Sequence, residues 1–387
     1  MDFTRDEVQT QLGELARRIF DTRVTPDFLR AHASAGTPFD AVLWDQLHEA
    51  GLVTAALPTE AGGLGFGMLE LGWILEAAGR VLAPVPLLCT ALAARALARA
   101  ANGTGNTAAE QTKIWLMAIA SRRAVVALAL TDASDDPLAP TVQATPLDGS
   151  GKGWRLDGTK TVVAYGASAE ALLVTARTAD GSALFVVPGN SPGLELHAQR
   201  STHGEPWALL ELRDVHVEAG ACLGGSEAVA RLIDETRAAA AAWQVGLTEA
   251  AVRQTATYVS SRHQFGRPLG SMQAVQQRLA DAYIDVEAMR STSLLAAGAL
   301  DQSLPGNALA ADVAVAAYWA ARGGHRVTHA TQHLHGGMGA DIEYPIHRYF
   351  LNAKATGLGL GGAQALLSRI GTEIAAGRIR RLSGVET

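Results

Sequence analysis

An island of short β-rich runs, enclosed on both sides by helical periodicity, constrains this chain more than any other feature. From about residue 124 the sequence breaks into VVALAL, WRLDGTKTVVAY, ALLVTART, ALFVVPG and LLELRDVHV, punctuated by Asp-Gly, Gly-Ser and Ser-Pro. Runs of this length, rich in β-branched residues and divided by turn dipeptides, predict strands. Their spacing predicts a small antiparallel barrel or sandwich that ends near residue 220. Before the island, Val8, Leu12, Leu15 and Ile19 form one helical stripe, and Leu43, Leu47 and Leu52 extend a later one. Gly62-Gly63-Leu64-Gly65 reads as a loop and Met68 to Ala78 as an apolar helix. Pro84 and Pro86 stop that helix, and Leu87 to Ala101 begins another. After Gly225 helical spacing returns and persists. The predicted organisation is a helical domain over 1–122, a β-domain over 123–222 and a helical bundle over 223–387.

At 387 residues the chain is too long for one ordinary core, and with 48% apolar and 18% charged residues it reads as globular. No apolar run reaches the roughly 18 residues a membrane-spanning helix needs. The opening residues lack the basic-then-apolar order of a signal peptide. A formal net charge of -6 argues against a nucleic-acid surface. Cys89 and Cys222 are too few for a disulfide framework or a cysteine metal cluster, and they suit a reducing, cytoplasmic setting.

The motif-bearing stretch is RHQFGRPLGSMQAVQQRLAD, Arg262 to Asp281. A helical run breaks at Gly266 and Pro268 and resumes after Ser271, a good N-cap residue. Val275, Leu279, Ala282 and Val286 then mark the buried face. Arg262, Phe265 and Gln273 gather at this corner, offering a guanidinium, a ring and an amide. Spacing alone equally suits a structural corner with a surface arginine.

The motif R-x-x-F-G-x-P-L, a Gln eleven places after the Arg, and L-A-D resemble the C-terminal signature of the acyl-CoA dehydrogenase family. HLHGGMGADIEYPIHRYF, His333 to Phe350, resembles that family's Q-x-x-G-G-x-G-x-x-x-E-x-P motif, and ALPTEAGGLGFGMLELGWILEAAGR, Ala56 to Arg80, its P-x-x-x-G-G-x-G segment. The three matches follow the family's order. They imply a multidomain α+β fold: an N-terminal helical domain, a middle antiparallel β-barrel or sandwich, and a C-terminal four-helix bundle. They also imply oxidation of an acyl-CoA thioester between Cα and Cβ, with a carboxylate as base and FAD as hydride acceptor.

On that resemblance Arg262, Phe265 and Gln273 hold the pyrophosphate and adenine side of FAD, across a subunit interface. Gly336 and Gly337 let backbone approach the cofactor, and His333 stands where the family has Gln. The segments lining the flavin ring depart from the family. T-E-P-x-A-G-S-D is Thr131-Asp132-Ala133-Ser134-Asp135-Asp136-Pro137 here. In K-x-W-I-T-N, Val162 replaces the Trp and Ala164 the Thr. Leu360 falls where many members carry the catalytic Glu, and Thr236, before Arg237, falls where others carry it. Asp234 and Glu235 are one or two residues off, a rotation of about 100–200°. The catalytic residues are therefore left unassigned. Glu343 reads as structural, and the spaced histidines His325, His329 and His333 read as part of a cofactor end, so no metal is expected.

This pattern implies one half of a heteromeric, heterotetrameric dehydrogenase of the kind that handles bulky substrates such as steroid side-chain thioesters. A paralogous subunit would supply the base and ring pocket, and an electron-transfer acceptor would reoxidise the flavin. The alternatives are a homotetramer with a relocated base such as Glu235, or a non-catalytic scaffold.

Overall fold

A computed structural model describes residues 5–102, 106–134, 136–147, 153–302 and 306–377. Helices α1 (Glu7–Arg23), α2 (Pro26–Ala35), α3 (Ala41–Glu49), α4 (Met68–Val81), α5 (Leu87–Ala101) and α6 (Asn106–Arg122) come first. Strands β1 (Val126–Ala129), β2 (Gln143–Pro146), β3 (Trp154–Ala164), β4 (Ala171–Thr178), β5 (Gly181–Pro188), β6 (Leu194–Arg200), β7 (Pro206–Val217) and β8 (Cys222–Gly224) follow. After α7 (Ser226–Ser261), the two-residue strands β9 (His263–Gln264) and β10 (Arg267–Pro268) interrupt the helices. Helices α8 (Gln273–Asp301), α9 (Gly306–Leu334), α10 (Ile346–Gly359) and α11 (Ala363–Ala375) complete the chain. The order along the sequence is helical, β, helical, as the punctuation predicts.

In space the chain forms two compact units. One contains Met1–Ala31, Gly67–Ala83 and Arg237–Thr387; the other contains His32–Phe66 and Pro84–Thr236. The second unit holds the sheet, in the order β6-β7-β3-β2-β4-β5-β8 with β1 beside β4. The sheet is mixed where the turn pattern predicts antiparallel pairing throughout. Strands β1 and β4 run parallel, Val126 opposite Ala171, because the β2–β3 hairpin lies between them and supplies the long crossover that parallel pairing requires. The apolar run of β4, Ala171 to Ala176, is buried at every position, as a strand covered on both faces must be. Strand β6 escapes the sequence reading because its apolar residues are sparse, yet it pairs with β7 from Leu194 to Arg200.

In the first unit α4 and α7 meet at two reciprocal notches. A methyl placed on Gly79 would lie 2.3 Å from the Trp243 carbonyl oxygen, and one on Gly246 would lie 1.8 Å from that of Glu76. Only glycine permits backbones this close. Around the crossing, Leu82, Leu247, Ala250, Ala251, Ile346, Tyr349 and Ala353 form one apolar cluster; Val245, Ala282, Val286, Met289 and Val327 form another. The Asp301 carboxylate accepts from the backbone N–H groups of Met68 (2.7 Å) and Leu69 (3.0 Å), capping the start of α4 from outside its own sequence.

Two local expectations need correction. On α1 the buried face is Leu12, Gly13, Ala16 and Phe20, while Val8 is exposed. Helical packing selected the small Gly13 and Ala16 over the larger stripe drawn through Val8, Leu15 and Ile19. Ser271 does not cap α8: Met272 occupies that position, and the Ser271 hydroxyl donates to the Pro268 carbonyl at 2.7 Å instead. The predicted face of α8 is buried at Ala282 and Val286 and half-buried at Val275 and Leu279. Both cysteines are free thiols.

Candidate functional site

The corner after α7 is a tight hairpin. Gln264 pairs with Arg267 and His263 with Pro268, leaving Phe265 and Gly266 as the turn. Both have positive φ, 54° and 78°, the signature of a type I′ turn. A bulky residue in that region is strained, and the turn aims the ring away from its own fold: Phe265 is 88% exposed. Arg262 and Gln273 flank the hairpin and are exposed too.

The second motif follows α9. His333, Gly336 and Gly337 are exposed, and a methyl on either glycine would meet nothing within 4 Å. A ligand's phosphates could therefore reach this backbone directly. Arg278 lies 3.1 Å from His333 Nδ1. A guanidinium can only donate, so in the neutral ring Nδ1 accepts and Nε2 carries the proton. His333 thus presents an N–H donor, one half of what a glutamine amide offers at the same place.

His335, between these residues, is buried, and sequence reasoning gave it no role. Its ring stacks on Tyr258 at 4.3 Å and lies 5.1 Å from Tyr344. The Thr255 hydroxyl donates to the Ala251 carbonyl at 2.7 Å and lies 3.2 Å from His335 Nε2. That hydroxyl then accepts, which puts the His335 proton on Nε2. Burial pushes this imidazole down to about 4, so it is neutral near pH 7. His335 immediately precedes Gly336, so its packing on α7 fixes where the glycine backbone begins. No spacing rule marks His335, because its partners come from α7 and from beyond α9.

In the second unit the two segments that differ from the family lie side by side. Thr131 bridges Val162, and the Thr161 N–H donates to the Thr131 carbonyl at 3.0 Å. Lys160 Nζ donates to Asp132 Oδ2 at 2.8 Å and to Thr175 Oγ1 at 2.9 Å, with both charged side chains almost wholly buried. Burial opposes the Asp132 charge, yet the hydrogen bond from Lys160 and two backbone N–H groups hold its carboxyl below the usual range. Asp135, part of the same motif, lies outside the described residues. The wall offers Val162 and Ala164 where the resemblance implies a tryptophan and a threonine, so stacking and a hydroxyl donor are both missing there.

Neither location for a base carries one. Leu360 caps the end of α10 and is 4% exposed. The Thr236 hydroxyl is occupied, donating to the Leu232 carbonyl at 2.7 Å. Glu235 is fully buried in a guanidinium cluster: its Oε1 accepts from Arg99 at 2.7 Å, Arg95 at 3.1 Å and Arg231 at 3.3 Å. Burial opposes the charge, but Arg99, Arg95 and Arg231 outweigh it and hold the carboxyl below its ordinary value. A carboxylate so held has little affinity for a substrate proton.

Among the described residues the histidines of α9 join no group of three or more metal-competent side chains. Among the described residues the metal-competent grouping is Glu195, His197 and Glu211 on the exposed sheet surface, in the second unit. No helix among the described residues is long and apolar enough to cross a membrane.

The dinucleotide side fits an FAD tail: a guanidinium, an amide and an exposed ring at a rigid corner, beside open glycine backbone. The ring wall does not supply the family's groups.

Comparison with known proteins agrees with these motifs. Residues 6–123 match the acyl-CoA dehydrogenase N-terminal domain and residues 224–375 the acyl-CoA dehydrogenase C-terminal domain. Acyl-CoA dehydrogenase FadE27 of Mycobacterium tuberculosis is 41% identical over 382 residues, covering 97% of this chain and 99% of that protein. A chain of the ChsE4-ChsE5 complex from Mycobacterium tuberculosis is 41% identical, with a TM-score of 0.89 over 97% of this chain and 99% of that one. A chain of a Tcur3481-Tcur3483 steroid ACAD variant is 40% identical, with a TM-score of 0.88 over 96% of this chain and 98% of that one.

Proposed function

The chain belongs to the acyl-CoA dehydrogenase family, FAD-dependent oxidoreductases acting on the CH–CH bond of acyl-CoA, and from that premise we propose that it is the base-deficient subunit of a heteromeric enzyme. The observation that carries this reading is the contrast between an exposed dinucleotide-binding corner and base positions filled by Leu360 and Thr236. When bound, FAD supplies the hydride acceptor for Cα–Cβ dehydrogenation. This chain's part is to bind and orient. Arg262 neutralises pyrophosphate charge, Phe265 packs on the dinucleotide, Gln273 and His333 donate hydrogen bonds, and Gly336 and Gly337 admit the backbone. A paralogous subunit supplies the carboxylate that takes the Cα proton and the groups that enclose the ring.

The substrate class we propose is a bulky, steroid-type acyl-CoA thioester, supported by relatives described as a steroid ACAD and as a two-protein complex. The homomeric alternative with Glu235 as base loses support, since three arginines converge on its Oε1 and hold the carboxyl below its ordinary value. The test is to purify the chain alone and together with a co-expressed paralogue and to record visible spectra and turnover. Flavin colour and activity only in the mixture are expected. A yellow, active chain by itself would overturn the proposal.

A further inference from the structure

The first unit contains a second cationic site, lined by none of the dinucleotide-corner residues. It is a cleft of about 220 Å³ lined by thirteen residues from four stretches of chain: 24–26 with Leu29, 80–82, Ala250 with 253–254, and Pro345 with 348–349. Three of these are arginines, Arg80, Arg253 and Arg348, and none is acidic. The rest of the wall is mostly apolar: Val24, Leu29, Val81, Leu82 and Ala250.

Two of the three guanidiniums are balanced from outside the cleft. Arg80 pairs with Asp21, and Arg253 pairs with Glu249 at 2.6 Å. Among the described residues Arg348 is paired with no carboxylate, and Glu343, on its own segment, is 3.3 Å from Arg30. Burial, and then the charge of Arg30, push the Arg348 guanidinium down from its ordinary value against the weaker opposing charge of Glu343. Arg80 Nε is buried without an acceptor. The floor is rigid. The Gln254 amide donates to the Tyr349 hydroxyl at 2.7 Å, which donates in turn to the Arg80 carbonyl at 3.2 Å.

Arg348, the guanidinium of the three left without a paired carboxylate among the described residues, raises the cleft's positive potential, and the low-dielectric apolar wall focuses that field. A buried guanidinium N–H with no acceptor costs free energy that an incoming oxyanion would offset. An inorganic anion would leave the aliphatic wall wetted; an aliphatic tail would cover it. We propose that this cleft binds a small carboxylate with a short aliphatic body, its oxygens on Arg348 and Arg80 and its chain against Leu29, Val81 and Leu82. The volume lies below the range of ordinary drug-sized sites, roughly 300–1,000 Å³, which restricts the ligand to a compact molecule. This site is independent of the flavin reading, because none of the dinucleotide-corner residues lines it.

The test uses the purified full-length protein, with its partner subunit if the two co-purify. Calorimetric titration with hexanoate is expected to give saturable binding, with hexanol and inorganic phosphate each binding far more weakly. Arg348→Gln is expected to weaken hexanoate binding about tenfold or more, the loss of one charge-assisted hydrogen bond. Arg155→Gln, on strand β3, is expected to leave binding unchanged. Thermal melts of the unliganded variants check the fold, and Arg80→Gln, which removes the other proposed contact, replaces Arg348→Gln if the latter is unstable. The proposal is overturned by hexanoate binding that both arginine variants retain. It is equally overturned by hexanol or phosphate binding as tightly as hexanoate, or by the absence of any binding.

Discussion

The two regions that the flavin resemblance marks have opposite physical characters. At the hairpin and glycine loop of the first unit, polar and aromatic groups face outward: Phe265 is exposed, Gly336 and Gly337 meet no neighbour, and Arg262 and Gln273 are open. At the β1–β3 wall of the second unit, the groups are satisfied among themselves, with Lys160 closed on Asp132 and Thr175. A surface that keeps its donors uncommitted and holds a large ring in a left-handed turn is shaped for something outside the chain. A wall that has consumed its own charges and carries valine and alanine is shaped for stability.

The largest effect should come from the closed wall. Lys160→Met leaves the Asp132 charge buried without its cation and is expected to cost about 3–5 kcal/mol, read from chemical denaturation. A cost below about 1 kcal/mol would show that water reaches the pair and that the wall is not closed.

At the open corner the expected pattern is reversed. Arg262→Ala should lower flavin affinity of the assembled enzyme about tenfold or more, with unfolding unchanged. Phe265→Gly should also lose flavin, yet gain about 1 kcal/mol of stability by relieving the positive φ. Loss of both flavin and fold in Arg262→Ala would mean that the corner is structural.

Glu235→Gln separates scaffold from chemistry. It is expected to cost about 1–3 kcal/mol, because Arg95, Arg99 and Arg231 lose their counter-charge, while turnover of the folded complex changes little. A loss of several orders of magnitude in kcat at unchanged flavin content would restore Glu235 as a base.

The smallest effect concerns pH. Each unit has an imidazole pushed far down: His335 to about 4 by burial, and His48 to about 4 by burial and then by Arg123. The unfolded chain binds protons at these positions near pH 6.5 and the folded chain does not, so stability is retained above about 6.5 and falls as pH drops toward 4. His335→Leu should flatten part of that acid slope and should blunt the acid loss of flavin; His48→Leu should flatten the slope alone. Identical flavin retention curves for the two variants would erase the distinction between the regions.

Much of this was legible in the residues. Pro84 and Pro86 gave the break before α5, the turn dipeptides gave five strands, and the R-x-x-F-G motif located a corner that proved to be a two-residue turn. What escaped is non-local. The parallel β1–β4 pairing depends on a crossover, and the Asp301 cap of α4 joins residues more than two hundred positions apart. Of the arginines around Glu235 only Arg231, one turn away on α7, is marked by spacing; Arg95 and Arg99 arrive from α5. His335 reads as one more histidine of a series until its stacking on Tyr258 is seen.

The paired glycines at the α4–α7 crossing have a mechanical consequence. With Gly79 seated over Trp243 and Gly246 over Glu76, each helix is keyed into the other at two points one turn of thread apart. Such a joint has a fixed pitch: neither rod can ratchet along its neighbour, and thickening one key obliges the whole bundle to open. Any motion that accompanies ligand capture in this half of the molecule must therefore be carried by its turns and ends, with the crossing acting as the fulcrum.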